Sequence, residues 1–105
     1  MQIISSKNFE KKLSKLSKSV KIKLKEKLRI FMENPSNILL NNHKLHGKYK
    51  NYRSINITGD YRIIFEELEN NCILLVNINT HSELYVKAKT HIPTLSNAEG
   101  YPTQI

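Results

Sequence analysis

The sequence contains only one cysteine among 105 residues, Cys72. A single cysteine excludes an internal disulfide, and the CxxC and Cys–His spacings of structural zinc sites are also missing. Because Cys72 opens an apolar run, we expect a buried and inert thiol. One free thiol without a partner is typical of a protein from a reducing compartment.

Long hydrophobic runs are also absent. No stretch approaches the ~20 apolar residues that a helix needs to span a bilayer. The amino-terminal sequence, Met-Gln-Ile-Ile-Ser-Ser, lacks the basic flank and apolar core of a signal peptide. These features predict a soluble, cytoplasmic protein that does not act at a membrane.

Acidic residues are the third group in short supply. Nine Asp and Glu stand against seventeen Lys and Arg, so the formal net charge is +8 at pH 7. A surplus of this size favours polyanionic partners, such as nucleic acid or an acidic protein. A basic surface that serves only solubility is the alternative.

The first third of the chain has the spacing of two helices, over residues 7–16 and 19–33. Apolar residues recur there at intervals of three and four. They are Phe9, Leu13, Leu16, Val20, Leu24, Leu28 and Phe31. Ser5 or Ser6 can cap the first helix, and Pro35 stops the second, because the residue before a proline is disfavoured in the α region. The sequence therefore predicts a helical hairpin.

Three strand-like segments follow the helices. β-Branched and aromatic residues alternate over residues 52–58 and 61–67, and Gly59 allows a tight turn between these two segments. Residues 72–80 are nearly all apolar through Val76, as in a central strand that is buried on both faces. This pattern predicts an antiparallel meander.

A short apolar segment at residues 2–5 can add an edge or central strand ahead of the helices. The resulting order is β-α-α-β-β-β. It predicts an α+β fold in which the helical hairpin packs on one face of a four-stranded antiparallel sheet. The length fits one domain, which we place at residues 1–90. Residues 91–105 show no periodicity and predict a poorly ordered tail.

Side chains able to transfer a proton or hold an anion surround the predicted hairpin. His43 precedes it, and Asp60 and Arg62 lie at its turn. His81 and Tyr85 follow the next strand. Structural roles are the alternatives: each histidine can be a surface or capping residue, and Arg62 can form a salt bridge with a nearby acid.

A basic segment leads into the same hairpin and suits contact with RNA. The candidate RNA-binding residues are Lys44, His46, Lys48, Lys50, Arg53 and Asn56. His43 and His46 make a weak zinc candidate, since no further ligand pair has metal spacing. We therefore predict neither a metal nor another cofactor. The lysines on the polar sides of the helices are either a solvated face or a surface for phosphate or a protein partner.

Four motifs in this order resemble the bacterial RelE-family toxins, in particular their YafQ and RelE/StbE branch. They are His43-x-Leu45-x-Gly47, Tyr52-Arg53-Ser54, Gly59-Asp60-Tyr61-Arg62-Ile63-Ile64-Phe65 and Thr80-His81-Ser82-Glu83-Leu84-Tyr85. The resemblance covers about residues 1–87. It implies one RelE-like toxin domain that cleaves mRNA in the ribosomal A site and so inhibits translation. It also implies a cognate antitoxin, bound in a hetero-oligomer.

The resemblance further implies roles for five residues. His43 matches the position of the general base, and Asp60 matches a catalytic aspartate of YafQ-like toxins. Arg62 matches the arginine that contacts the scissile phosphate in RelE-like members. His81 matches the general acid, and Tyr85 the aromatic residue that orients or stacks on the substrate.

This chemistry is consistent with the residue types. Cleavage of RNA without a metal needs a base that takes the 2′-hydroxyl proton and an acid that protonates the leaving 5′-oxygen. Histidine, with an ordinary pKa of ~6.5, can serve in either role. A guanidinium can hold the phosphate while its charge grows. His43, His81 and Arg62 would thus form a 2′,3′-cyclic phosphate and a 5′-hydroxyl end.

Two positions depart from the family pattern. Asn56 stands where YafQ-like toxins carry a histidine, and Tyr61 replaces a tryptophan. Two rival functions remain beside the endoribonuclease. A ParE-like toxin shares the fold but inhibits DNA gyrase and has no use for an acid and a base. A degenerate, non-catalytic basic binding module is left open by Asn56, which cannot titrate.

Overall fold

The computed structural model describes residues 1–80. Its helices and strands are β1 (Gln2–Ser5), α1 (Lys7–Ser14), α2 (Lys18–Glu33), β2 (His43–Lys44), β3 (Arg53–Asn56), β4 (Tyr61–Leu68) and β5 (Cys72–Thr80). Short 3-10 turns at Ile38–Leu40 and Gly47–Tyr49 flank β2. The predicted tail and the site residues His81 and Tyr85 lie outside the described residues. Within residues 1–80, no helix is long and apolar enough to cross a bilayer.

Serines begin both helices. The Ser6 hydroxyl accepts a hydrogen bond from the Phe9 amide at 3.0 Å, and the Ser17 hydroxyl accepts one from the Val20 amide at 3.4 Å. These contacts satisfy amides that the first turn of a helix leaves unpaired. Asn34, which precedes a proline, is extended and ends α2. The predicted helical hairpin is confirmed to within two residues at each end.

The α+β class is confirmed, but the sheet differs from the predicted four-stranded antiparallel one. It has five strands in the order β1-β5-β4-β3-β2, and β1 runs parallel to β5 while the other neighbours are antiparallel. The two helices after β1 form a long connection, which does not impose a direction as a tight hairpin turn does. The additional strand, β2, has two residues, too few to show the alternation that reveals a strand.

The helical hairpin covers one face of the sheet and forms the main core. Phe31 of α2 meets Phe65 of β4 edge to face, with ring centroids 5.1 Å apart. The buried residues of this core are Phe9, Leu24, Phe31, Leu40, Ile55, Ile57, Ile63, Phe65, Ile73, Leu75 and Ile78. The opposite face carries a small cluster around Leu45 and Ile64. We call this side of the sheet, which the helical hairpin does not cover, the open face.

A β-bulge decides which residues of β5 reach the open face. Leu75 packs in the main core, so strict alternation would place Asn77 and Asn79 on the same side. The ladder with β4 shifts register at Val76, however, and Ile78 enters the core instead. Asn77 and Asn79 then face the open side, because one extra residue reverses the orientation of those that follow.

Candidate active site

Arg62 lies on the open face of β4 and is almost completely buried, with 7% of its surface exposed. Its Nε–H donates to the hydroxyl of Ser54 at 2.6 Å, and Ser54 on β3 is fully buried. Among residues 1–80, no acid forms an ion pair with Arg62, so the salt bridge considered from the sequence is not formed there. Burial lowers the pKa of Arg62, yet a guanidinium stays charged at neutral pH. The site therefore holds a fixed positive charge.

His43 is the first residue of β2 and pairs with Ser54 in the sheet, which brings its imidazole to Arg62. Nδ1 lies 2.9 Å from the carbonyl oxygen of Asn41. A carbonyl oxygen only accepts, so Nδ1 carries the proton, and Nε2 keeps its lone pair in the neutral ring. Nη2 of Arg62 lies 3.2 Å from Nδ1 and 3.4 Å from Nε2. Nearly equal distances place Nη2 above the ring plane, because an in-plane atom there would clash with Cε1. The lone pair of Nε2, which lies in the ring plane, is therefore not directed at Nη2.

The pKa of His43 lies below its ordinary value. Burial is the largest cause, because desolvation disfavours the charged ring. The hydrogen bond to the Asn41 carbonyl opposes this lowering. The positive charges of Arg62 and Arg53 reinforce it, and His46 adds to them. The lowered pKa favours the neutral imidazole, which is the state that a general base requires.

The loop before β2 orients His43. Asn41 has φ 47° and ψ 50°, a left-handed conformation that asparagine tolerates better than most residues. Asn42 donates from Nδ2 to the Pro35 carbonyl at 2.9 Å, and its Oδ1 accepts from Nε of Arg53 at 2.9 Å. These contacts connect the loop to the end of α2 and to β3, so the position of His43 does not depend on its two-residue strand alone.

Two asparagines flank Arg62 on the open face. In the sheet register, Asn56 of β3 lies opposite Arg62 on one side and Asn79 of β5 on the other. Directly opposed residues of antiparallel strands project from the same face. Asn79 is buried and Asn56 is half-buried. The amide of Asn56 is therefore placed to donate to an anion that the guanidinium holds.

Asp60 lies at the rim of this arrangement. It is exposed in the β3–β4 turn, where its amide donates to the Thr58 hydroxyl at 3.1 Å. Its carboxylate forms no ion pair with His43 or Arg62. The structure thus brings His43 and Arg62 together and leaves Asp60 exposed in the turn, without an ion pair to either. The predicted acid and aromatic residue, His81 and Tyr85, are not among the described residues.

The basic residues predicted to bind RNA lie in two places, at the edge of the sheet and in the turn Gly47–Tyr49. Lys44 pairs with Arg53 in the register, one position from the His43–Ser54 pair, so strand alternation turns both away from the open face. With Lys50, they line a shallow recess of about 180 Å³ at this edge of the sheet. His46 is exposed at the start of the turn Gly47–Tyr49. The ammonium of Lys48 in that turn lies 5.5 Å from the centre of the Tyr49 ring. The basic residues therefore border the site and do not line its interior. We call Lys44, His46, Lys48, Lys50 and Arg53 the basic border.

The side chains considered for metal binding do not form a metal site among the described residues. Within residues 1–80, no group of three or more His, Cys, Asp or Glu side chains could hold a metal ion. Cys72, expected to be buried, is half-buried at the start of β5. It is a free thiol remote from the His43–Arg62 pair along the sheet, since it pairs with Leu68 at the far end of β4.

Sequence reasoning missed Ser54 as part of the site. Ser54 and Asn56 are two residues apart in a strand and therefore share a face. No sequence pattern distinguishes a functional serine in a strand from any other serine. Only the register of β3 with β4 shows that its hydroxyl is the buried acceptor for Arg62.

Comparisons with known proteins identify the family. The chain matches, over residues 1–86, the sequence profile described as "Bacterial toxin of type II toxin-antitoxin system, YafQ". Comparison with curated protein sequences gives no match. Among solved structures, it is similar to YafQ from E. coli strain BL21(DE3), with a TM-score of 0.66 and 24% identity over 80% of this chain and 97% of that one.

Two further similar structures are of toxin–antitoxin complexes. The chain matches the E. coli DinJ–YafQ complex with a TM-score of 0.63 and 24% identity, over 80% of this chain and 96% of that one. It matches the archaeal RelE–RelB complex from Pyrococcus horikoshii OT3 with a TM-score of 0.62 and 20% identity, over 75% and 92%. At such identities, these likenesses establish a RelE-like fold. Because the family profile spans most of the sequence, the chain belongs to the YafQ family of bacterial toxins of type II toxin–antitoxin systems.

Proposed function

We propose that this toxin is an mRNA interferase, a metal-independent endoribonuclease that cleaves mRNA on the ribosome. The contact between His43 and Arg62 is the observation that carries the proposal. Nε2 of a neutral imidazole lies 3.4 Å from a buried guanidinium that no acid among residues 1–80 neutralises. A phosphate bound by Arg62 would therefore bring its ribose next to a proton acceptor.

In the proposed reaction, Arg62 binds the scissile phosphate and Nε2 of His43 removes the proton from the adjacent 2′-hydroxyl. The 2′-oxygen attacks phosphorus, and the bond from phosphorus to the 5′-oxygen breaks. His81 donates a proton to that leaving oxygen. The products are a 2′,3′-cyclic phosphate and a 5′-hydroxyl end. The guanidinium stabilises the charge that develops on the phosphate, and it does so without reorganising, because Ser54 holds it.

Asn56, Asp60 and Tyr85 assist in this proposal. Asn56 donates a hydrogen bond to the phosphate from its place opposite Arg62. Asp60, exposed in the turn, acts at the rim of the site. Tyr85 orients or stacks on a base of the substrate. These three roles rest on residue type and family resemblance.

An assay on translating ribosomes tests the proposal against its rivals. The protein is added to a defined translation reaction, and the ends of the mRNA fragments are analysed. We expect cleavage that leaves a 2′,3′-cyclic phosphate and a 5′-hydroxyl. Inhibition of DNA gyrase without cleavage would support the ParE-like alternative. Binding of RNA without cleavage or gyrase inhibition would support the non-catalytic basic module.

The basic border should make RNA binding sensitive to salt. Each phosphate that a protein neutralises on a single strand contributes about 0.7 to the log–log salt slope. Replacement of Lys48 and Lys50 together by methionine should therefore flatten the slope by roughly 1–1.5 if both contact phosphate. Binding is measured in a His43→Ala background, so that the RNA stays intact.

Two exposed lysines of α1, Lys7 and Lys11, provide the matched control for this experiment. Their replacement by methionine removes the same charge from another surface. An equal effect of the two double variants would contradict a specific RNA path over the basic border. It would indicate that RNA responds to net charge alone.

A protein antitoxin is the second proposed partner. The net charge of +8 favours an acidic segment, and the similar DinJ–YafQ and RelE–RelB structures are toxin–antitoxin complexes. We expect the product of the adjacent open reading frame to co-purify with this chain as a hetero-oligomer and to suppress its toxicity. A chain that is harmless alone and does not bind that product would contradict the proposal.

A further inference from the structure

A cleft opens at the edge of β3 next to the proposed active site. β2 pairs only with Arg53 and Ser54 of β3. Beyond these residues, the edge of β3 shares a space with α2 and with the turn Ile38–Leu40 instead of pairing with a strand. The space between them is about 360 Å³, and its walls include Lys23, Lys27 and Leu39. No acidic residue of the described chain lines it. The cleft therefore combines two positive charges with no opposing one.

Lys27 differs from the other lysines of the helices. Its half-buried ammonium donates to the carbonyl oxygen of Ile57 at 3.1 Å. Among residues 1–80, no other lysine of α1 or α2 makes a hydrogen bond with its side chain. An ammonium has three donors, so two remain for a ligand. Because the side chain is already ordered, it loses less conformational entropy when it binds an anion.

Asn56 connects the cleft with the proposed active site. It lines the cleft and also lies directly opposite Arg62 in the sheet. A single strand of RNA whose scissile phosphate contacts Arg62 can therefore continue past Asn56 into the cleft. Leu39, which is 59% exposed, offers an apolar wall against which a ribose can pack.

We propose that this cleft is a second phosphate subsite, in which Lys27, supported by Lys23, binds the backbone phosphate next to the scissile one. The ligand class is single-stranded RNA, so the inference rests on the proposed function. The cleft lies at the turn end of the β3–β4 hairpin, and the basic border lies at its other end. The subsite would therefore extend the RNA path along the hairpin. Arg62 and Lys27 would thus hold two neighbouring phosphates and fix the register of the strand over His43.

Substitution of Lys27 by methionine tests the subsite. In the His43→Ala background, Lys27→Met should flatten the salt slope for single-stranded RNA by about 0.7, the contribution of one phosphate. Lys27→Arg should restore the slope. Lys25→Met is the matched control, because Lys25 is exposed on the same helix and lies outside the cleft. Equal slopes for Lys27→Met and Lys25→Met would overturn the subsite and leave the active-site proposal intact.

A second pair of variants does not disturb the contact between Lys27 and Ile57. Gly59 borders the cleft, and a Cβ added there meets nothing within 4 Å. Gly59→Glu and Gly59→Gln have the same shape and differ in charge. We expect Gly59→Glu to weaken RNA binding at low salt relative to Gly59→Gln, and equal affinities would again overturn the subsite. If the His43→Ala parent itself shows no salt-dependent RNA binding, both the subsite and the proposed function fail.

Discussion

Replacement of His43 by alanine should slow single-turnover RNA cleavage by at least ~100-fold, since loss of a positioned acid or base typically costs about 10²–10⁴ in rate. The half-buried ring donates from Nδ1 to the Asn41 carbonyl at 2.9 Å, so that Nε2 carries no proton in the neutral ring. RNA affinity should change little, because the neutral ring contributes no charge. His81→Ala should cause a loss of similar size in the role of the acid.

Glutamine is the informative control at this position. The amide of His43→Gln can keep a hydrogen bond to the Asn41 carbonyl but cannot accept a proton at neutral pH. If His43 only supports the loop, His43→Gln should cleave like the unmodified protein. If it is the base, glutamine should be as slow as alanine. Near-normal cleavage by a His43→Ala, His81→Ala double variant would refute both assignments.

The pH dependence of cleavage follows from the environment of His43. The base must be neutral and the acid protonated, so the profile should be bell-shaped. Burial lowers the pKa of His43, and the acidic limb should therefore lie below the ordinary histidine value of ~6.5. His43→Ala should remove that limb, and His81→Ala should remove the basic one. An acidic limb that persists in His43→Ala would assign the base to another group.

Replacement of Arg62 by glutamine should reduce both rate and affinity. Loss of a donor that stabilises transition-state charge typically costs about 10²–10³ in rate. Arg62→Lys should recover only part of this loss, because an ammonium lacks the planar pair of donors. Arg29→Gln removes the same charge from an exposed position of α2 and should leave the rate unchanged. Equal rates for Arg62→Gln and Arg29→Gln would exclude a direct role for Arg62.

The pKa of His43 provides a readout of Arg62 that is independent of activity. The positive charge of Arg62 helps to lower this pKa, so Arg62→Gln should raise it. The change is visible in the proton NMR titration of the ring, and it should shift the acidic limb of any residual cleavage to higher pH. A pKa that stays the same or falls would show that the two side chains are not coupled as the structure indicates.

Ser54→Ala tests how Arg62 is held. The variant leaves Nε–H of Arg62 without its buried acceptor, which should destabilise the fold by about 1–3 kcal/mol in chemical denaturation. If the guanidinium then moves away from His43, the pKa of His43 should rise as in Arg62→Gln. A loss of stability with an unchanged His43 pKa would limit Ser54 to a structural role.

Much of the fold could be predicted from patterns among residues that are close in the sequence. Both helices follow from their apolar spacing, and the serine cap of the first helix follows from a residue that acts within one turn. β4 and β5 follow from β-branched and aromatic runs and from the turn at Gly59. The residue types of the site also pointed to His43 and Arg62, because few side chains combine proton transfer with anion binding. Such features depend on neighbours in the sequence, and so they can be read without the tertiary structure.

Only the tertiary structure decided the features that depend on pairing between distant segments. The parallel pairing of β1 with β5 and the two-residue strand β2 leave no local pattern. The bulge at Val76 reverses the sides of Ile78 and Asn79 relative to simple alternation. The same registers place Ser54 under Arg62 and His43 beside it. Residue identity determined which chemistry was available to this protein. Backbone register, which side-chain packing selects over the whole sheet, determined which of those groups meet.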